Sequence, residues 1–382
     1  MRPTPLADLE TPALLLDEAK LDRNVARMKA RMDEKGVRLR PHIKTAKSFD
    51  VYKRALKGAA GVTVSTLAEA DDAFDHGVTD ILYAVGIAPN KIDRTLALRA
   101  KGADLTLIVD TLEAAKAIAA KGEGARQVIP ALIEIDSDDH RAGVKPLSGA
   151  AREIAGFLNA AKGARYRGLM THAGGSYDCR SVEAIRAVAE QERRAVVDTA
   201  MMLKADGIDS EIVSVGSTPT ATFGKNFAGV TEVRVGVYMF QDLVMASLGV
   251  CSIDDIAISV LTSVIGAQRD KNWILTDGGW MAMSRDRGTS AFPVDYGYGL
   301  VCDEGGAPIE DLIVASCNQE HGVIARRGGG AIDFTKFPVG RLLRVLPNHA
   351  CATAAQFSAY DVTGGAGGVT ARYPRIGGWR RD

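Results

Sequence analysis

A few short stretches of this 382-residue chain gather the side chains that do chemistry. Lys44 ends the alternating run VRLRPHIK (37–44), close to Arg40 and His42 and ahead of Lys47. A lysine there is either a solvated strand end or, with a lowered pKa, an amine nucleophile that attacks a carbonyl. SVGSTPT (214–220) offers Gly216 for close backbone approach, hydroxyls at Ser217, Thr218 and Thr220, and the free N–H groups of a following helix. RVGVY (234–238) adds Gly236 and Tyr238. Such turns are either ordinary helix caps or a cradle for phosphate.

EIDSDDHRAGV (134–144) places Arg141 where it faces a cofactor oxygen or ring nitrogen, or else pairs with Asp136 or Asp138. MTHAGGSY (170–177) carries His172, able to pack against a flat ring, with Tyr177 and two glycines nearby. A lysine and an anion cradle at one rim together suggest pyridoxal 5'-phosphate, which needs an imine partner and a phosphate site.

PNHACAT (347–353) sets His349 and Cys351 two residues apart, on one side of the chain if the segment is extended. Imidazole with thiolate suits Zn²⁺, and two protein ligands leave positions open for water or substrate. The alternative is a buried cysteine beside a turn histidine. Glu320 and His321 in NQEHG (318–322) either assist such a metal or cap a turn.

These residues need a scaffold. Up to about residue 245, β-rich runs alternate with segments of helical period: 37–44, 61–66, 79–85, 105–110, 127–136, 166–172, 211–217 and 231–237. Parallel strands need helical crossovers, so eight such units in a row predict a (β/α)8 barrel over 18–245. Lys44, Ser65, Glu134, Asp136, His172 and Ser217 all fall near strand C-terminal ends, the rim where barrels build active sites. Gly77, Gly122 and Gly207 read as helix C-caps. After about 250, short apolar runs between Gly-rich turns predict a mostly antiparallel β domain over 246–382, joined by an N-terminal strand at 11–17.

Lys+Arg and Asp+Glu both total 47, so the chain is neutral, which argues against a general nucleic-acid or anionic-membrane binder. No apolar run reaches the ~20 residues of a membrane-spanning helix. The N-terminal stretch has charges where a signal peptide needs an apolar core, and the five cysteines are scattered and odd in number. Together these predict a cytoplasmic protein with reduced thiols.

Taken together, RPHIKTAKS, SVGSTPT, RVGVY, EIDSDDHRAGV, THAG and PNHAC resemble the fold-type III pyridoxal-phosphate enzymes, the alanine-racemase-like barrels. Within them the likeness is to the branch of D-threonine aldolases, D-serine dehydratases and 3-hydroxyaspartate dehydratases, and it extends from TPALLLD to PNHAC. The resemblance implies that Lys44 is the Schiff-base lysine. It implies that Gly216, Ser217, Thr218, Gly236 and Tyr238 bind phosphate, that Arg141 approaches the phenolic oxygen, and that His172 lies beside the ring; Tyr177, on the same ligand-facing loop, is a further cofactor candidate. It implies Zn²⁺ on His349 and Cys351, with Mn²⁺ or Mg²⁺ as alternatives, since dehydratases of this branch carry H-x-C and aldolases H-x-D. The expected reaction is dehydration of a D-3-hydroxy amino acid, foremost D-threo-3-hydroxyaspartate to oxaloacetate and ammonia. The alternatives are aldol cleavage to glycine and an aldehyde, or racemisation. Arg285 and Arg287 are the candidates for a substrate β-carboxylate, or else pair with Asp286. A homodimer with its active site at the interface is also expected.

Overall fold

The computed structural model describes residues 3–364 and 367–379. It forms two compact units: Arg27–Gly236, and Met1–Ala26 with Val237–Gly377. The first boundary therefore falls inside the helix Glu18–Glu34 rather than at residue 18. Long-range bonds explain why. Lys20 pairs with Asp254 at 3.1 Å, and the Asn24 amide donates to the carbonyls of Met239 and Asp255 at 3.2 and 2.8 Å.

The unit Arg27–Gly236 is built on eight parallel strands: Arg38–Pro41, Val62–Val64, Asp80–Gly86, Asp104–Val109, Ile129–Ile135, Ala164–Thr171, Ile212–Val215 and Glu232–Val235. They are numbered one to eight here in that order. Strand one pairs with strand eight, and a parallel bridge between His42 and Thr63 joins it to strand two, so the sheet closes on itself. Strand five is buried along its whole length, as a sheet covered on both faces requires. Gly77 and Gly207, at φ of 85° and 82°, follow helices Leu67–Asp75 and Val182–Ala205 in the left-handed conformation expected of C-caps. Gly122 does not. It lies inside helix Leu112–Gly124, where a side chain would meet Gln127 O at 2.8 Å, so its role is close packing.

Arg40 fills the barrel interior. Its guanidinium binds Glu232 at 2.8 Å and both oxygens of Asp80 at 2.9 and 3.1 Å. Glu232 also accepts from the Ser214 hydroxyl at 2.8 Å. A buried charge survives only when paired in this way.

In the other unit, six antiparallel strands close in the order Ile258–Gln268, Trp273–Thr276, Gly322–Arg326, Pro308–Cys317, Gly299–Cys302 and Leu342–Pro347, the last returning to the first. Ala13–Asp17 extends this sheet, antiparallel to Ile258–Gln268 and parallel to Ala359–Thr363. Leu243, Ile256, Leu300, Cys302, Ile313 and Leu346 form one of its apolar clusters. No helix among the described residues is long and apolar enough to cross a membrane.

Candidate active site

Strand one stops at Pro41, and the chain turns through 42–46, so Lys44 stands just beyond the strand, exposed. The turn is pinned at its start. His42 N donates to Val235 O at 2.7 Å, and Ile43 N to Thr63 O at 2.9 Å. A side chain at Gly236 would lie 2.9 Å from both His42 O and Thr45 Oγ1, so only glycine lets strand eight end against this turn. Lys47, at φ of 45°, pairs with buried Glu69 at 3.1 Å, and Glu69 accepts from Ser65 N at 2.8 Å. Burial, reinforced by the charges of Lys44 and Arg234, holds His42 well below its ordinary value, hence neutral. The basic run is therefore divided. Arg40 and Lys47 are bound to carboxylates, His42 is uncharged, and Lys44 makes no ion pair among the described residues.

Across the rim, Gly216 has φ of 153° and packs on the strand-eight backbone, where a Cβ would meet Arg234 N at 2.7 Å. Its carbonyl accepts from His172 Nδ1 at 2.7 Å, and its N–H donates to Glu192 at 2.9 Å. Gly216 thus supports the turn, with its N–H given to Glu192. Ser217 caps the short helix Thr218–Phe223 through a reciprocal pair with Thr220. The Tyr238 hydroxyl, in the other unit, is buried with no hydrogen-bond partner among the described residues, and so is the Thr218 hydroxyl here. A buried polar group left unpaired is costly, so an oxygen-rich ligand fits the Thr218 hydroxyl. A phosphate is such a group.

Burial, with the charges of Lys44, Arg141 and Arg234, outweighs the Gly216 bond and lowers His172 to about 3. The ring is therefore neutral, with its proton on Nδ1. The Tyr177 ring lies 6.3 Å from it, tilted by 43°. Arg141 pairs with neither aspartate considered from sequence. Asp136 takes Lys145 at 2.8 Å and Asp138 takes Gly175 N at 2.7 Å. The nearest carboxylate to Arg141 is that of Glu134, at 3.8 Å, and burial raises the pKa of Glu134.

In the β unit, His349 and Cys351 do not lie on an extended segment. His349 is the N-cap of helix Ala350–Ala354, and Cys351 sits in its first turn. Their side chains still meet in a hydrogen bond. His349 Nδ1 contacts Asp286 Oδ2 at 2.6 Å, which leaves Nε2 for another partner. Burial works against protonation of His349, but Asp286, Cys351 and Asp242 together raise it to about 11. Asp242 is itself buried and accepts from Ala350 N and Met245 N at 3.0 and 2.9 Å. A carboxylate-bound imidazole beside a thiol is a donor set suited to Zn²⁺ with open positions. Among the described residues no group of three His, Cys, Asp or Glu side chains forms a closed metal cage. Glu320 and His321 belong to a turn in which Asn318 N donates to His321 O at 2.8 Å.

Asp286 does not take the alternative role of pairing with its neighbouring arginines. Arg287 pairs instead with Asp295 at 2.7 Å and lies over the Tyr298 ring at 5.1 Å. Arg285 lies over the Trp280 ring at 4.6 Å. Asp286 and Glu192 are the functional candidates that sequence reasoning missed. Asp286 is masked by the two arginines flanking it. Glu192 had a legible signal: it falls seven residues after buried Ile185 and seven before buried Thr199, a carboxylate in an apolar stripe.

The family model for the alanine racemase N-terminal domain matches residues 16–243, and that for a serine dehydratase domain matches residues 257–363. The chain is 50% identical over 377 residues to D-threo-3-hydroxyaspartate dehydratase of Delftia sp. (strain HT23), covering 98% of this chain and 99% of that protein. It is 31% identical over 375 residues to D-serine dehydratase of Dictyostelium discoideum, covering 93% of each. Among solved structures, a cysteine-to-alanine mutant of D-threo-3-hydroxyaspartate dehydratase in the metal-free form matches with a TM-score of 0.96 at 49% identity. That match covers 98% of this chain and 100% of the other.

Proposed function

Because this chain belongs to the alanine racemase-like, fold-type III pyridoxal-phosphate family, we propose that it is a pyridoxal-phosphate- and Zn²⁺-dependent lyase. Its reaction is dehydration of D-threo-3-hydroxyaspartate, with D-serine or D-threonine as lesser substrates. The observation that carries this reading is the His349–Cys351 pair with Asp286 on Nδ1. The 50% identity to a D-threo-3-hydroxyaspartate dehydratase supports the substrate, and a metal-free form of such an enzyme supports a metal.

The cofactor, when bound, supplies an electron sink for the pair released at Cα. Lys44 would anchor it covalently and, once displaced by substrate, take the Cα proton on Nζ. Ser217 and Thr218, with Tyr238, would hold the phosphate, and Gly236 keeps the Lys44 turn closed beside them. His172, neutral and fixed by Gly216, presents a flat face that the ring can rest on, with Tyr177 behind it. Arg141 would face the phenolic oxygen. His349 and Cys351 would hold Zn²⁺, whose Lewis acidity makes the C3 hydroxyl a tolerable leaving group. Asp286 keeps Nε2 of His349 available. Loss of water gives an enamine, which water hydrolyses to oxaloacetate and ammonia. Arg285 is the better candidate for the β-carboxylate, because Arg287 is already paired. A homodimer with its active site at the subunit interface, in the cytoplasm, completes the proposal.

The test is a substrate panel. Purified protein given D-threo-3-hydroxyaspartate, D-serine or D-threonine is expected to release an oxo acid and ammonia, with activity lost to EDTA and restored by Zn²⁺. Release of glycine would identify an aldolase instead. Borohydride treatment of the holoenzyme is expected to fix the cofactor on the peptide containing Lys44.

A further inference from the structure

Glu192 belongs to no part of the chemistry above. It projects from the middle of helix Val182–Ala205 and is 2% exposed. Its Oε1 accepts from Ala173 N at 3.1 Å and from Gly216 N at 2.9 Å, and its Oε2 accepts from the Thr220 hydroxyl at 2.7 Å. Those donors lie on three separate pieces of the rim: the loop after His172, the end of strand seven, and the helix behind Ser217. Gly216 in turn accepts from His172 Nδ1, so one carboxylate fixes both the phosphate turn and the ring-facing histidine.

The bond to Thr220 also sets the direction of a hydroxyl chain. Thr220 spends its single proton on Oε2. The Thr220 oxygen then accepts from Ser217 N at 3.2 Å. Ser176 donates to Ala173 O at 2.8 Å and lies 2.8 Å from Ser217 Oγ. Ser217 is therefore the donor in that contact, and the Thr218 proton is the one left to face an anion. Burial favours the neutral form of Glu192, while its three donors favour the charged one.

We propose that Glu192 is a positioning residue for the cofactor: by holding Ala173, Gly216 and Thr220, it preorganises the phosphate turn and His172, and thereby sets pyridoxal-phosphate affinity. This rests on the cofactor reading above. A negative group behind an anion site would by itself repel the anion, so any net benefit must come through the backbone it holds.

The test is equilibrium dialysis of the holoenzyme against a series of pyridoxal-phosphate concentrations, with bound cofactor read from its absorbance. Glu192→Ala leaves three buried donors unpaired and is expected to weaken binding by about tenfold or more. Glu192→Gln keeps an acceptor oxygen for both N–H groups and should recover most of that loss. Thr199→Ala, on the same helix but with its hydroxyl bonded to Ala195 and Leu147, should leave affinity unchanged. If Glu192→Ala fails to fold, Thr220→Val decides, because it removes one of the three donors and is expected to weaken binding measurably. Wild-type affinity in Glu192→Ala or Thr220→Val overturns the inference, as does an equal loss in Thr199→Ala. A wild-type protein that binds no pyridoxal phosphate overturns the cofactor reading itself, and this one with it.

Discussion

His349 Nδ1 and Asp286 Oδ2 lie 2.6 Å apart although 63 residues separate them in the chain. The contact turns an ordinary H-x-C pair into an oriented one. An imidazole whose Nδ1 is held by a carboxylate has its tautomer and ring plane set, and Nε2 is free to bind. Asp286→Ala is expected to lower Zn²⁺ affinity by about 10–100-fold while leaving the fold intact. Competition with a chromophoric chelator measures this directly. Unchanged affinity would remove Asp286 from the site.

The two arginines flanking Asp286 should behave differently. Arg287→Ala breaks a pair with Asp295, whereas Arg285→Ala removes a guanidinium bound to no carboxylate among the described residues. For hydroxyaspartate, Arg285→Ala is expected to raise KM by about tenfold or more, the scale of a hydrogen bond to a charged group. KM for D-serine, which has no second carboxylate, should stay put. Equal effects from the two variants would sink the assignment.

Arg40 is a stability residue. Arg40→Ala would leave the fully buried Glu232 carboxylate unpaired, and removing one partner of a buried pair costs about 3–5 kcal/mol. Urea unfolding of the cofactor-free protein reads this as a drop in midpoint. A change below about 1 kcal/mol, the range of exposed pairs, would mean that water reaches the pair.

Acid should destabilise the barrel through its neutral histidines. His172 sits at about 3 in the folded protein, against an ordinary 6.5. As pH falls below 6.5, the unfolded chain takes up a proton there that the folded chain refuses until about 3. Stability contributed by the neutral ring is therefore present above pH 6.5 and lost progressively down to about 3. His42 shifts in the same direction. In cofactor-free protein, His172→Asn should flatten the slope of stability against pH in that window by up to one proton. The raised carboxylates Glu134 and Glu192 are common to both proteins and drop out of the difference. Identical slopes would show that His172 is not held neutral.

The barrel was legible because its signals are local. Strand runs of period two, helices of period 3.6 and the glycines after them are written within a dozen residues of one another. The same holds for the lysine after strand one, the Ser/Thr turn after strand seven and the H-x-C pair. The misreadings had a common cause. Gly122 looked like a cap because glycine so often is one, whereas the Gly163 backbone packed against it decided its role. Sequence proximity left open whether Asp286 pairs with the arginines beside it; in the fold it binds His349, and Arg287 binds Asp295.

From its sequence alone, then, the chain specified which elements form, in what order, and which side chains stand at their ends. Only the tertiary structure decided how Arg40, Lys44 and Lys47 of VRLRPHIKTAKS (37–48) are spent. Arg40 goes to Glu232 and Asp80, Lys47 goes to Glu69, and Lys44 is left unpaired. Periodicity encodes which face of an element is buried, but it carries no information about which distant carboxylate waits there. Partner choice among buried charges depends on desolvation and ångström-scale packing, and both exist only once the barrel has closed.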